Sequence, residues 1–159
     1  MVGSNQPEAR LRFEQATPEE LAVILPAVKD LTREAIFEAV RARHTFGTSG
    51  AKMSLFFNVG GILMGDKVRR PNGPVTFHVQ ARASRDIKEV VIFRNNEIVF
   101  RQEPGRKEVE ANWTDPQPPA AKHVWYYARI QATDGELAWS SPIWFSENPL
   151  QRWQIQIPK

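Results

Sequence analysis

The sequence lacks cysteine altogether, which excludes disulfide bridges, thiolate zinc sites and cysteine nucleophiles. It also lacks a long apolar run, because the longest uncharged apolar stretches, residues 21–27 and 53–64, fall short of the roughly 18 residues needed to span a membrane. No basic segment followed by an apolar one opens the chain, so no signal peptide is visible. We therefore expect a protein without a membrane partner, and a cytoplasmic location by default.

Neither sign of charge dominates. The 159 residues carry 21 basic and 18 acidic side chains, a net charge of +3, and apart from short clusters such as residues 67–70 the two signs are interspersed. Interspersed charges usually form solvated faces, so we expect no nucleic-acid partner. With 42% hydrophobic residues the chain has enough apolar material for a globular core, and its length predicts a single domain.

The common catalytic and nucleotide-binding motifs are missing as well. The chain has no Gly-x-Ser-x-Gly elbow, no Walker loop and no Gly-x-Gly-x-x-Gly fingerprint. Paired carboxylates at positions 108 and 110, and at 134 and 136, could occur on any domain. The three histidines are far apart and form no metal-binding spacing: His44, His78 and His123. We assign no catalytic residue, no metal ligand and no cofactor to this chain.

The first third of the sequence has helical signals. Residues 1–16 are polar and predict a flexible arm. A capping box at residues 17–20 starts a short helix, and Asp30 or Thr32 offers a second start. From residue 33 to residue 43 the apolar side chains recur at helical spacing, which predicts an amphipathic helix. Its apolar stripe needs a cover, which makes three residues candidates for an interface: Ile36, Phe37 and Val40.

Beyond the turn at residues 47–50 the pattern alternates with period two. Strands are predicted at 52–59, 75–83, 87–94, 97–102, 108–113, 123–132 and 137–145, with a last edge strand at 153–157. A tight hairpin turn is expected at Asn95-Asn96. Short strands without intervening helices predict a mainly β fold, an antiparallel immunoglobulin- or fibronectin-like sandwich over residues 51–159, preceded by a helical segment over 17–50.

Two sets of residues are candidates for ligand binding. The turn formed by Thr48, Ser49 and Gly50 has small residues and free amides that could hold an anion, although the glycines also suffice to end a helix and begin a strand. The aromatic residues of the second half could stack on sugars from an exposed sheet face, although aromatic residues more often fill the core of a sandwich. The aromatic candidates are Trp125, Tyr127, Trp139 and Trp144.

The residues of three segments carry a more specific signal than their pattern of apolar and polar positions. The chain contains LTREAIFEAVRARHTFGTSG at residues 31–50, NVGGILMG at 58–65 and WYYARIQATDGELAWSSPIW at 125–144. Together they resemble, in matching order, the closing section of a bacterial group of unknown function in the PHP (polymerase and histidinol phosphatase) superfamily. The resemblance implies a metal-dependent phosphoesterase whose metals are held by His-x-His and Asp-x-His motifs in an upstream barrel. This chain contains neither motif, so no metal ligand is carried over.

The resemblance implies that the chain is a non-catalytic C-terminal module with a structural or interaction role beside such a barrel. Residues 17–50 would then be a remnant of the end of the barrel. Its expected partner is the upstream barrel domain, which could hold a divalent metal, or a second copy of the chain. Two alternatives stay open: a free-standing carbohydrate-binding module that uses exposed tryptophans, and a small hydrolase with unrecognised carboxylates.

Overall fold

The computed structural model describes residues 32–49, 52–121 and 123–147. This part of the chain contains one short helix and ten strands, so the protein is mainly β, as predicted. The helix is α1 (Arg33–Ala42), and the strands are β1 (Phe46–Thr48), β2 (Met53–Val59), β3 (Ile62–Leu63), β4 (Lys67–Arg69), β5 (Val75–Arg94), β6 (Glu97–Gln102), β7 (Arg106–Asp115), β8 (His123–Ala132), β9 (Leu137–Ser140) and β10 (Ile143–Ser146).

The strands form one curled sheet in which every pairing is antiparallel except that of β4 with β10. The 20-residue strand β5 runs through both halves of this sheet. Its first half pairs with β2 and β7, and its second half pairs with β6 and β8. We call the first half with its neighbours the first layer. The second half of β5, with β6, β8 and the strands joined to it through β8, is the second layer.

The two predicted strands at 75–83 and 87–94 are therefore one strand with an irregularity between them. The register with β7 shifts between Arg82 and Ile87, and residues 84–86 within that shift are exposed. The exposed polar residues 84–86 interrupt the alternation, and for this reason the sequence predicts two separate strands. In the structure the backbone stays extended through them, so that one strand passes from the first layer into the second.

The core lies on the inner side of the curled sheet and takes residues from both layers. Phe77 of β5 joins them, because its ring contacts Phe57 within the first layer, at 5.4 Å between centroids, and Tyr126 of the second layer, at 4.4 Å. Along β8 the even-numbered residues from Val124 to Ile130 point into this core and are fully buried. Period-two burial of this kind is what the alternating sequence predicted.

Two connections between strands allow the predicted topology to be compared with the observed one. Asn95 and Asn96 adopt positive φ values of 49° and 69° and connect β5 to β6, which confirms the predicted hairpin. The predicted strand at 137–145 is two strands, β9 and β10, which pair with the same edge of β8. The interruption comes at Ser141 and Pro142, and proline has no amide hydrogen with which to continue a ladder.

The helix α1 forms where the amphipathic pattern predicts it. Thr32 caps it, since its side-chain oxygen accepts a hydrogen bond from the Ala35 amide at 3.2 Å. Strand β1 precedes the predicted boundary at residue 50 and already belongs to the sheet, because it pairs with β9. The predicted boundary therefore falls between β1 and β2, two strands of the same sheet. The predicted arm, the helix start at 17–20 and the edge strand at 153–157 lie outside the described residues.

Candidate functional site

All four aromatic residues singled out from the sequence lie on the outer face of the second layer. Trp125 and Tyr127 alternate with the buried residues of β8 and so point away from the core. Trp144 of β10 pairs with Trp125, and Trp139 of β9 pairs with Arg129. We call these four residues, together with Phe93 of β5, the outer aromatic face. None of the five belongs to the hydrophobic core cluster.

Trp139 is the most exposed member of the outer aromatic face. Of its surface, 38% is exposed. Its neighbour on one side is Arg129, and on the other side it is Gly47 of β1. Nothing lies within 4 Å of the position that a Cβ atom would take on Gly47. One flank of the indole is therefore open, which leaves space for a stacking ligand.

One end of the outer aromatic face is held by ion pairs. The nearly buried carboxylate of Glu89 accepts hydrogen bonds from Arg101 and from Arg129, the latter at 3.0 Å. The Arg129 guanidinium also lies 5.2 Å from the ring centre of Phe93, which stacks on Tyr127 at 4.7 Å. The single Glu89 carboxylate balances one of the two arginine charges, and the ring contacts fix the positions of Phe93 and Tyr127.

At the other end of the face, two cationic side chains lie beside one ring. The Arg43 guanidinium and the Lys67 ammonium lie 5.7 Å and 5.8 Å from the ring centre of Trp144. Arg43 makes its hydrogen bonds to the main-chain carbonyls of Gly65 and Arg41. Partial burial, together with the nearby charge of Arg43, lowers the pKa of the Lys67 ammonium.

The candidate anion site is part of a strand pairing. The Ser49 amide donates to the carbonyl of Leu137 at 2.9 Å, and the Ser49 hydroxyl accepts from the Leu137 amide at 2.8 Å. The same hydroxyl donates to the carboxylate of Glu136. A negative charge thus already lies at this position, and Thr48 belongs to β1, so the geometry disfavours an added anion. Gly50 lies outside the described residues.

The apolar stripe of α1 is largely exposed. Phe37 and Val40 are 58% and 53% exposed, Ile36 is half-buried, and Ala39 is buried. Among the described residues, the contacts that anchor the helix lie just past its C-terminal end. There the side chain of Arg43 donates to the Gly65 carbonyl at 3.0 Å. His44 then contacts the carboxylate of Asp66 at 2.8 Å.

No metal centre is formed by the described part of the chain, where no three His, Asp or Glu side chains come together. His44 pairs with Asp66, His78 is half-buried on the outer face of the first layer, and His123 is exposed at the start of β8. In the same residues, no helix is both long and apolar enough to cross a bilayer.

Two features escaped the sequence analysis. The first is a buried carboxylate: Asp115 is 1% exposed, and it accepts hydrogen bonds from Tyr126 at 2.7 Å and from Arg94 at 2.9 Å. The alternation of β7 and β8 places Asp115 and Tyr126 on inward positions and could have indicated the contact. The second is a shallow groove of about 600 Å³ on the outer face of the first layer, lined by Ser54, Phe56, Gln80, Arg82, Glu108 and Glu110.

The chain is similar to proteins that carry no assigned function. Residues 6–84 match a family described as "Protein of unknown function (DUF3604)", and the match ends where β5 passes between the layers. An uncharacterized protein of Chlamydia pneumoniae is 31% identical over 132 residues, which cover 74% of this chain and 21% of that protein. Uncharacterized proteins of Chlamydia trachomatis and Chlamydia muridarum are 26% and 25% identical over the same length.

The chain spans about one fifth of the length of the curated relatives it matches. No solved structure matches it.

Proposed function

We propose that the chain is a non-catalytic β-domain with a structural or interaction role in a longer protein, beside a PHP-like metal-dependent phosphoesterase domain. The proposal is supported by the resemblance of residues 31–50, 58–65 and 125–144 to the closing section of that group. It is also supported by the small share of the curated relatives that the chain spans. The partner is the upstream barrel or a second copy of this chain.

The exposed stripe of α1 is the observation that carries the interaction role. Burial of a large apolar side chain stabilises a protein by about 1.5 to 3 kcal/mol, so a helix that exposes Phe37 and Val40 loses much of this energy unless a partner covers it. Because Arg43 and His44 fasten the end of the helix to residues 65 and 66, the stripe has a fixed orientation relative to the sheet. A fixed apolar surface suits docking.

The non-catalytic role is tested by metal and activity measurements on the isolated chain. We expect neither stoichiometric zinc or manganese after dialysis nor hydrolysis of a generic phosphate ester with or without divalent metal. One bound metal per chain together with turnover would overturn the proposal and would favour the small hydrolase with unrecognised carboxylates. An in-frame continuation upstream that encodes His-x-His and Asp-x-His motifs would support the presence of the barrel.

Carbohydrate binding is the second candidate, and the outer aromatic face favours it. Four aromatic side chains occupy neighbouring positions on one sheet surface, with Trp139 open on one flank. Aromatic rings presented in this way stack on the apolar faces of sugars. Titration with a panel of glycans should quench or shift tryptophan fluorescence, and Trp139→Ala should remove most of the change. A response that survives Trp139→Ala would place the binding elsewhere.

Our proposal also includes a more specific class for the mainly β fold. We propose that the curled sheet is a variant of the immunoglobulin-like sandwich in which β5 serves both layers. The core between the two layers, joined by Phe77 and Tyr126, supports this view.

A further inference from the structure

We infer that Asn72 is a site of spontaneous covalent modification, at which the folded protein converts the side-chain amide into a carboxylate without an enzyme. The basis is the loop between β4 and β5, where Asn72 is followed by Gly73 and the reacting groups of both residues are free. The co-reactant is water. This inference does not depend on the function proposed above.

The chemistry is an attack of the main chain on the neighbouring side chain. The amide nitrogen of Gly73 loses its proton to water or hydroxide and forms a bond to the side-chain carbonyl carbon of Asn72. The bond from that carbon to the side-chain nitrogen breaks, and the nitrogen takes up a proton and leaves as ammonia. Water then opens the cyclic imide at either carbonyl, which gives aspartate or isoaspartate. No oxidant or reductant is needed.

Glycine is the residue that favours this attack. It has no Cβ atom to shield its amide nitrogen, and the space around it is open here, because a Cβ atom on Gly73 would meet nothing within 4 Å. The sequence contains the pair Asn-Gly only once. Pro71 fixes its own φ and Pro74 restricts Gly73, so neither proline restricts the ψ of Asn72, which must rotate for the ring to close.

The structure leaves both reacting groups free. Asn72 is exposed, and within the described residues neither its side chain nor the Gly73 amide makes a hydrogen bond to another protein group. A main-chain amide that is hydrogen-bonded in a turn must be released before it can attack, whereas a free amide in an exposed loop has almost no such opening cost. Folding should therefore slow the reaction at Asn72 very little.

The turn between β8 and β9 has the opposite arrangement. Its Asp134-Gly135 pair can also form a cyclic imide, but the Gly135 amide donates to the carbonyl of Ala132 at 3.0 Å. The Asp134 carboxylate accepts a hydrogen bond from the Glu136 amide at 3.3 Å. Because both reacting groups are held, folding should protect this position. Asp134→Asn would put the pair Asn-Gly into a turn that holds it.

The test is incubation of the chain at neutral pH and physiological temperature, followed by peptide mapping with mass spectrometry and by enzymatic methylation of isoaspartate. We expect the peptide that contains Asn72 to gain the mass and the negative charge of a carboxylate, at a rate within about threefold of the rate in urea. Asn72→Gln should abolish this gain over the same period. Gly73→Ala should slow it by about tenfold, because the added methyl group shields the amide.

Asp134→Asn is the matched control for the effect of the structure. In the folded protein, position 134 of this variant should react about tenfold more slowly than Asn72, because the Gly135 hydrogen bond must first break, and in urea the two rates should be similar. Equal rates at the two positions of the folded variant would show that the structure does not select Asn72 and would overturn the inference. A folded chain in which Asn72 stays intact while the unfolded chain reacts would overturn it as well.

Discussion

Asp115 shows how a single buried residue organises one end of the core. Its carboxylate accepts hydrogen bonds from the Tyr126 hydroxyl, the Arg94 guanidinium and the main-chain amide of Gln117. A buried charge is destabilising unless it is paired and hydrogen-bonded, so these three partners keep Asp115 compatible with the core. They also tie β7 to β5 and β8.

Replacing Tyr126 with Phe tests this arrangement. The substitution removes one hydrogen bond to a buried carboxylate and leaves the ring in place, so the free energy of unfolding should fall by about 2 kcal/mol. Tyr127→Phe is the matched control on the outer face, and its effect should stay within about 0.5 kcal/mol. Urea unfolding measures both. Equal losses in the two variants would show that the hydrogen bond from the Tyr126 hydroxyl to Asp115 does not stabilise the fold.

The same tyrosine predicts a dependence of stability on pH. Burial, reinforced by the hydrogen bond to Asp115 and by its charge, raises the pKa of the Tyr126 hydroxyl above its ordinary value of 10.0. Above that pH the unfolded chain releases a proton that the folded protein retains, so the free energy of unfolding falls as pH rises. The fall attributable to Tyr126 approaches about 1.4 kcal/mol per pH unit.

Unfolding of the wild type and of Tyr126→Phe between about pH 9 and 11 isolates this contribution. The variant should show the shallower decline, and the difference between the two proteins should shrink as the pH rises. A decline of equal steepness in both would contradict the assignment.

Elements were easier to predict from the sequence than were their ends and partners. The alternation of β8 and the Asn95-Asn96 turn are local signals, and the structure confirms both. The continuity of β5 and the division of β9 from β10 depend on which strands lie alongside. Such long-range pairings leave no mark in a single stretch of sequence. The aromatic residues of β8 could be placed on one face, but the pairing of Trp144 with Trp125 could not be predicted.

The connection between α1 and the sheet depends on one glycine. Gly65 has a φ of +99°, and a Cβ atom there would lie 2.3 Å from the carbonyl oxygen of Arg43. The last residues of the helix therefore pack directly on the backbone of the turn between β3 and β4. Only glycine allows this contact, because any side chain would collide with main-chain atoms that cannot move aside without displacing the helix.

Gly65→Ala should therefore destabilise the protein by about 1 to 3 kcal/mol and detach the end of α1. Gly73→Ala is the control, because a Cβ atom on Gly73 meets nothing within 4 Å. Thermal melting followed by circular dichroism measures the loss. If both variants have the melting temperature of the wild type, the close contact between residue 65 and Arg43 does not exist in solution.

At the scale of the whole molecule, the described residues show candidate binding surfaces more clearly than candidate catalytic groups. Several carboxylates of the described residues are in ion pairs that join strands or loops, such as Arg82 with Glu108 and Arg70 with Glu147. Two surfaces of the described residues instead present large apolar side chains outward: the stripe of α1 and the outer aromatic face. The proposed docking function therefore rests on these two surfaces, with α1 proposed for a protein partner and the outer aromatic face for a carbohydrate.

The most direct test is the oligomeric state of the isolated chain measured by light scattering. We predict a dimer that buries the stripe of α1, since a fixed apolar surface that lacks the proposed barrel partner pairs readily with a second copy. Phe37→Asp should convert it into a folded monomer, whereas Ile98→Asp, at an exposed apolar residue of β6, should leave the dimer intact. A monomeric wild type that unfolds on Phe37→Asp would contradict the account, because α1 would then belong to the core of the chain itself.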